Sequence, residues 1–231
     1  MRINAVIVAA GEGRRMGAGA PKPLLPLLGR PVLLHTLAAF AASRVGKAIV
    51  VTAEKNRARF ERVLRASDLG SLEWTLQNGG PRRQDSVARG LDVVDTDCEI
   101  VVVHDAVRPL VSPELIDRCI DAAAKEGAAA AGVPVADTIK IVSPRRRIEG
   151  TPPRDALWAI QTPQAFRVEL LREAHRGAET AGVEATDDAM LVERLGKSVV
   201  VVEGDRRNIK ITTPEDLALA EALLSRPPGK P

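Results

Sequence analysis

Ile3-Asn4-Ala5-Val6-Ile7-Val8-Ala9-Ala10 runs straight into Gly11-Glu12-Gly13-Arg14-Arg15-Met16-Gly17, and the junction decides the fold. The apolar run from Ile3 to Ala10 is too short for a helix. It is β-branched enough for a strand buried on both faces, the kind found in parallel sheets covered by helices. Glycines placed directly after such a strand let backbone N–H groups close around phosphate oxygens, because no Cβ blocks the approach. The loop is not a P-loop, since no Gly-Lys-Ser/Thr follows at the required distance. Nor is it the dinucleotide fingerprint: the third glycine is misplaced and no acidic residue ends the second strand. It supplies two arginines instead, and Lys22 seven residues beyond Arg15. Arg15 and Lys22 can point at one polyphosphate, although a Gly/Arg loop can also be a plain solvated turn.

Outward from the loop, helical and strand patterns alternate. Pro31 to about Ser43 predicts a helix with Leu33, Leu34, Leu37 and Phe40 on one face. Lys47–Thr52, Leu72–Gln77 and Glu99–His104 read as strands. Helices are predicted from Asn56 to about Ala66, Gln84 to about Val94, and Ser112 or Pro113 to Lys125. Four such alternations demand crossover connections and a mostly parallel sheet, a Rossmann-like α/β sandwich. Ligands in these sheets sit outside the carboxyl ends of the strands.

Between Val135 and Ala156 the alternation stops. Asp137-Thr138-Ile139-Lys140-Ile141-Val142 alternates polar and apolar, and Ser143 to Arg147 turns into a second short segment. This reads as a β-hairpin arm projecting from the sandwich, with Arg145, Arg146 and Arg147 as a solvated tip. A two-stranded ribbon is marginal alone, so a second subunit is expected to cover it. Ala128–Ala131 reads as part of a strand and Leu157–Gln161 as another. A helix is predicted from Val168 to about Ala181, a shorter one over Asp187–Leu195, a strand over Ser198–Glu203 and a closing helix over Pro214–Leu224. Ser225–Pro231 reads as a frayed tail, and the whole, 1–231, as one domain.

Composition narrows the function. With 231 residues, 45% hydrophobic and 27% charged, the chain can bury a core unaided. Two Trp, three Phe and no Tyr leave Ala, Val, Leu and Ile to build it. That deficit argues against stacking on single-stranded nucleic acid, and 33 basic against 30 acidic residues give a net charge of only +3. Cys98 and Cys119 lack metal-ligand spacing and read as buried free thiols in a reducing compartment. No apolar stretch approaches the roughly 20 residues of a membrane span, and no signal peptide is apparent. The chain reads as cytoplasmic, with neither a membrane nor a nucleic-acid partner.

Two more polar clusters follow strands. His104-Asp105-Ala106-Val107-Arg108-Pro109 ends the fourth. Ser112 already offers the next helix a cap, so Asp105 is available as a Mg2+ ligand, one carboxylate with phosphate oxygens and waters being that ion's usual arrangement. Gly79-Gly80-Pro81-Arg82-Arg83-Gln84-Asp85-Ser86 follows the third; its glycines permit close approach, Ser86 starts or caps a helix, and solvated arginines are the alternative reading. Thr186 reads as an N-cap, with Asp187 and Asp188 as first-turn acids rather than a second carboxylate site. His35 and His175 read as structural or solvated, and His104 as a residue that shapes the loop.

Together the segments resemble the 2-C-methyl-D-erythritol 4-phosphate cytidylyltransferase family of nucleotidyltransferases, over nearly the whole chain. AAGEGRRMG with PKPLLPLLGRPVL is similar to the nucleotide loop, and GGPRRQDSV, VVVHDAVRPLV, PVADTIK, IQTPQAF, TDDA and NIKITTPEDL follow in order. The resemblance implies a glycosyltransferase-A-type fold, a homodimer joined through the arms, and a reaction of CTP with methylerythritol phosphate. The products are the CDP-alcohol and pyrophosphate; Mg2+ or another divalent cation assists, in non-mevalonate isoprenoid synthesis. It makes Arg15, Lys22 and Lys210 catalytic and Asp105 the metal ligand. Ala9, Ala10, Gly11, Gly13, Gly79, Arg83, Ser86 and Ala106 would bind the nucleotide. Asp137, Thr138, Arg154, Arg108 and Lys210 would hold the methylerythritol phosphate.

Two departures stand out: Pro81 and Arg82 replace residues that are often acidic in the family, and Pro23 follows Lys22 where glutamine is usual. The alternatives are a ribitol-5-phosphate cytidylyltransferase and a non-catalytic nucleotide-binding module. A sugar-1-phosphate nucleotidyltransferase fits the DTIK arm and the short chain poorly.

Overall fold

The computed structural model describes residues 1–11 and 21–225. Gly13 and Arg15 therefore lie outside the described residues, as does most of the tail. A seven-stranded sheet forms the centre, built from β1 (Arg2–Val8), β4 (Lys47–Thr52), β5 (Glu73–Asn78), β6 (Cys98–Asp105), β7 (Ala128–Pro134), β10 (Trp158–Arg167) and β11 (Val200–Glu203). Two small hairpins stand apart, β2 (Pro26–Leu27) with β3 (Arg30–Pro31) and β8 (Ile141–Val142) with β9 (Ile148–Gly150). The helices are α1 (Val32–Ala41), α2 (Arg57–Arg65), α3 (Arg83–Leu91), α4 (Pro113–Glu126), α5 (Val168–Thr180), α6 (Asp188–Arg194) and α7 (Pro214–Leu224).

Strand order is β11-β7-β10-β6-β1-β4-β5. β1 pairs in parallel with β4 and β6, β4 with β5, and β7 with β11; only β10 runs antiparallel to its neighbours. The chain steps outward from β1 through β4 to β5, then returns to β6 on the other side of β1. That reversal opens a crevice at the carboxyl ends of β1 and β6, where ligands bind in open α/β sheets.

β1 is buried on both faces as its sequence requires. Ile3, Ala5 and Ile7 join the core under α1, α2 and α4, and Val6 the core under α3, α5 and α6. Asn4, fully buried, is satisfied by Asp95: its amide donates to Oδ2 at 3.2 Å and its carbonyl accepts from the Asp95 N–H at 3.0 Å. In β7, Ala129 and Ala131 join the first of these cores and Ala128 the second. Phe40, Phe60 and Phe166 are fully buried, so every phenylalanine serves the interior. Gly90 lies against Val6, whose Cγ1 stands 2.6 Å from where a Cβ would be; α3 could not sit so close to β1 with a larger residue.

Three expectations need correction. The strand read as Leu157–Gln161 continues to Arg167, because a register shift between Ile160 and Gln164 absorbs Pro163 and pairing resumes beyond it. The arm is a ribbon only at its tip: Asp137–Lys140 are not strand, since no sheet buries the alternating side chains, and Ile139 and Ile141 are exposed. The tip itself turns at Arg146, in the left-handed region with φ 58°, as the arginine run suggested. Finally, α6 is capped by Asp187, whose carboxylate accepts the Met190 N–H at 3.0 Å, and not by Thr186.

Candidate functional site

An open cleft of about 340 Å³ lies at the crevice, lined by Ala9, Ala10 and Gly11 after β1, Gly80 to Arg83 and Ser86 after β5, Asp105 at the end of β6, Lys22 and Lys210. Such a volume falls within the usual range of small-molecule sites. The loop after β5 approaches the loop after β1 as closely as its composition allows. A Cβ on Gly79 would stand 2.7 Å from the Ala10 Cβ and 2.8 Å from the Ser86 Oγ, so only glycine fits. Ser86 neither starts nor caps α3. It sits within the helix, accepting the Gly80 N–H at 3.1 Å and donating to the Arg82 carbonyl at 3.1 Å. Arg82 holds the N-cap position, and Asp85 accepts the Arg82 N–H.

Asp105 is the electrostatic centre. Its backbone N–H donates to the Thr162 hydroxyl at 3.1 Å, which fixes the end of β6. Its carboxylate meets Lys210 Nζ at 2.8 Å, Arg83 Nε at 3.3 Å and Arg108 Nε at 3.7 Å, the last an ion-pair distance longer than a hydrogen bond. Burial alone would raise the Asp105 carboxyl. Arg83, Lys210 and Arg108 overturn that and hold it well below the ordinary carboxylate range, so it is ionised. Burial pushes the Arg108 guanidinium below its usual value. Its Nη1 donates to the backbone carbonyl of Asn208 at 2.7 Å, and Arg108 does not line the cleft.

Lys22 reaches the cleft from a short 3-10 turn, Lys22–Leu24, and its Nζ donates to the Thr212 carbonyl at 2.6 Å. Thr212 is fixed in turn: Asp216 of α7 accepts its N–H at 2.7 Å and its hydroxyl at 2.6 Å. Arg83 spans two carboxylates, with Nη1 donating to Asp188 at 2.7 Å. Asp188 is 1% exposed and also accepts His175 Nε2 at 3.1 Å.

The structure therefore brings together Ala9, Ala10, Gly11, Lys22, Arg83, Ser86, Asp105 and Lys210, with Gly79 packed behind Ala10. Ala106 does not reach the cleft. It is fully buried, its N–H on the Val8 carbonyl and its own carbonyl on the Thr36 hydroxyl, tying β6 to β1 and α1. Asp137, Thr138 and Arg154 stand exposed on the arm and do not line the cleft; Arg154 donates to the Ala136 carbonyl at 3.2 Å. His104 is fully buried against the Phe40 ring, and burial pushes its pKa down to about 3, so it is neutral and shapes the loop. His35 Nε2 donates to the Leu27 carbonyl at 2.9 Å, a structural contact.

Sequence reasoning missed Thr212 and Thr162, and read Asp188 only as a first-turn acid, not as a partner of Arg83. Only Asp188 left a signal: it lies three and four residues before Leu191 and Val192, on the buried face of α6, where an acid must find a partner.

The cleft's chemistry is that of a polyphosphate site: glycine-bordered loops, converging cations and one ionised carboxylate. That donor set fits a hard divalent cation completed by phosphate and water. Among the described residues no group of three His, Cys, Asp or Glu could cage a metal alone. None of the helices described is long and apolar enough to cross a membrane.

Comparison with known proteins agrees with this chemistry. The family model of 2-C-methyl-D-erythritol 4-phosphate cytidylyltransferase matches residues 3–226. An enzyme of that name from Caldanaerobacter subterraneus is 47% identical over 230 residues, covering 98% of this chain and 100% of its own. Among solved structures, the 4-diphosphocytidyl-2C-methyl-D-erythritol synthase of Anaerococcus prevotii superposes with a TM-score of 0.85 at 34% identity, over 97% of this chain and 96% of that one. The Thermus thermophilus cytidylyltransferase gives 0.78 at 37%, over 98% and 100%.

Proposed function

The chain belongs to the 2-C-methyl-D-erythritol 4-phosphate cytidylyltransferase family, and from that premise we propose that the cleft around Asp105 is where its reaction takes place. The enzyme joins CTP and 2-C-methyl-D-erythritol 4-phosphate, giving 4-diphosphocytidyl-2-C-methyl-D-erythritol and pyrophosphate, a step of non-mevalonate isoprenoid precursor synthesis. The observation that carries the assignment of the site is the gathering of Lys210, Arg83 and Arg108 on one buried carboxylate, with Lys22 on the same cleft.

A phosphomonoester oxygen attacks the α-phosphorus of CTP. A new P–O bond forms there, and the bond to the β-phosphate oxygen breaks to release pyrophosphate. The nucleophile is already an anion, so no general base is needed, and none of the three histidines is placed as one. The difficulty is charge. Two like unit charges about 4 Å apart repel by roughly 4 kcal/mol at an effective dielectric near 20, and both reactants are multiply anionic. Positioning and neutralisation therefore supply most of the catalysis.

Lys22, anchored on Thr212, faces the charge developing at the α-phosphate; Arg15, carried by the glycine loop, acts with it. Lys210 is 42% exposed and bridges from Asp105 to the incoming phosphates. Ala9, Ala10, Gly11, Gly13 and Ser86 hold the cytidine, largely through backbone groups, with Gly79 packed behind Ala10 to bring the two loops together. Asp105 would hold Mg2+ or another divalent cation, which supplies neutralisation of the triphosphate.

Asp137, Thr138 and Arg154 recognise the methylerythritol phosphate from a partner subunit's arm. The exposed Ile139, Ile141, Val142 and Ile148 of the arm, with the exposed Trp158 and Ile160 at the start of β10, support a homodimer, since such side chains need cover. Buried free Cys98 and Cys119 support a reducing, cytoplasmic setting. The test of the site is Lys210→Gln and Asp105→Asn, assayed by pyrophosphate release. Each should lower turnover at least about tenfold while the fold persists. Native rates in both would place the reaction elsewhere.

A further inference from the structure

His175, Asp188, Arg83 and Asp105 form one continuous chain, a hydrogen bond followed by two ion pairs, from α5 through the start of α6 and α3 to the end of β6. Its inner half lies away from the cleft: His175 is 7% and Asp188 1% exposed, and neither lines the cavity. Burying a carboxylate so completely is costly unless it is paired and hydrogen-bonded. Asp188 is both, one oxygen on each partner. Burial would raise its carboxyl, but Arg83 and His175 hold it below its usual value. The start of α6 is itself pinned by Gln164, which donates to Asp187 Oδ2 at 2.8 Å and accepts the Ala189 N–H at 3.1 Å.

Arg83 is the informative member. A guanidinium beside a carboxylate ordinarily closes a two-bond fork, and the fork available here on the Asp105 side consists of Nε and Nη2. Only Nε is engaged, at 3.3 Å, while Nη2 is buried with no hydrogen-bond partner. The far nitrogen, Nη1, is held by Asp188 at the shorter distance of 2.7 Å. The guanidinium is thus drawn toward Asp188 and kept from closing on Asp105.

We propose that Asp188, seated by His175, is a positioning residue that restrains Arg83, so that Asp105 keeps oxygen lone pairs available for a divalent cation. Lys210 is half exposed and free to exchange Asp105 for phosphate; a closed Arg83 fork, largely buried, would have no such exit. The proposal rests on Asp105 being the metal carboxylate.

The experiment is Mn2+ binding to the full chain with CTP present, followed by electron paramagnetic resonance and accompanied by melting curves. Asp105→Asn tests the underlying reading: unchanged Mn2+ affinity there would remove Asp105 from the metal site, whatever Asp188 does. Where Asp105→Asn does lose the ion, Asp188→Asn should weaken binding about ten- to hundredfold. Adding Arg83→Gln to Asp188→Asn should recover affinity to that of Arg83→Gln alone, because the competitor is gone. A role in folding alone would leave the loss in place in the double variant, and that result overturns the proposal. Mn2+ affinity within twofold of native in Asp188→Asn overturns it as well. Should Asp188→Asn not fold, His175→Leu and His175→Gln decide: glutamine keeps a donor to Asp188 and the native affinity, leucine does not. Equal affinities in the two would overturn the proposal.

Discussion

Lys22 is buried to 9% exposure, an uncommon position for an ammonium, and its hydrogen bond to Thr212 shows how the site tolerates it. The same burial makes the charge valuable, since a preorganised cation away from bulk water acts on developing negative charge without reorganising. Lys22→Ala should lower kcat by about 10²–10³. The lost hydrogen bond should cost about 1–2 kcal/mol of stability, a shift in Tm of about 2–8 °C for a chain of this size. Steady-state kinetics alongside calorimetry checks both, and near-native turnover would remove Lys22 from the chemistry. The thiols behave oppositely. Burial pushes Cys98 up to about 11 and Cys119 up to about 12, so at pH 8 about one thiolate in a thousand or fewer is present. Both should resist a thiol reagent in the native protein and react only as it unfolds; fast reaction of either at pH 8 would contradict their placement.

At the scale of elements, capping and pairing decide where the site residues stand. Asp216 accepts from Thr212 and from Thr213 at the start of α7, forming a capping box with Thr213 that holds the carbonyl seat of Lys22. Asp216→Ala should cost about 1–2 kcal/mol and lower turnover less than Lys22→Ala does; the reverse ranking would show that the turn, not the ammonium, matters most. Asp95 links β1 and β4 through Asn4, Arg2 and Lys47. Lys47, which donates at 2.6 Å, is the chief reason its carboxyl lies below the ordinary value. Its stabilisation is fully present above the unfolded pKa of about 3.9 and is lost as pH falls through the lower folded value. Asp95→Asn should therefore cost stability at pH 7 and progressively less below about pH 4, which denaturant titrations across pH would reveal.

Most elements were legible because each carries its own signal. Continuous apolar runs gave the buried strands, and Pro214, and Pro113 with Ser112 before it, marked the starts of α7 and α4. The errors arose where distant partners override local pattern. Pro163 looks like an ending, yet β6 and β7 on either side carry β10 past it. Asp137–Lys140 alternates like a strand but has no sheet to join. In the site, Lys22, Asp105 and Lys210 were legible from their motifs, whereas Thr162 and Thr212 act through a hydroxyl or a backbone carbonyl, which leaves no trace in residue type.

For the whole molecule, the sandwich gathers its candidate site residues at the carboxyl ends of its strands and leaves the arm's residues outside the cleft. Asp137, Thr138 and Arg154 do not line the cleft, and the proposal that another subunit presents them is open to a direct test. Mixing Lys22→Ala and Arg154→Ala subunits should restore part of the activity in demonstrated heterodimers, since one of the two sites then has both groups. No recovery would mean that each site is completed within one chain. The cleft itself is tested most directly by pyrophosphate release with CTP and Mg2+, comparing methylerythritol 4-phosphate, ribitol 5-phosphate and a sugar 1-phosphate, each with native protein and with Lys22→Ala. Turnover should be strongest with methylerythritol 4-phosphate and should collapse in the variant. Preference for another acceptor, or equal rates with and without Lys22, would contradict the account.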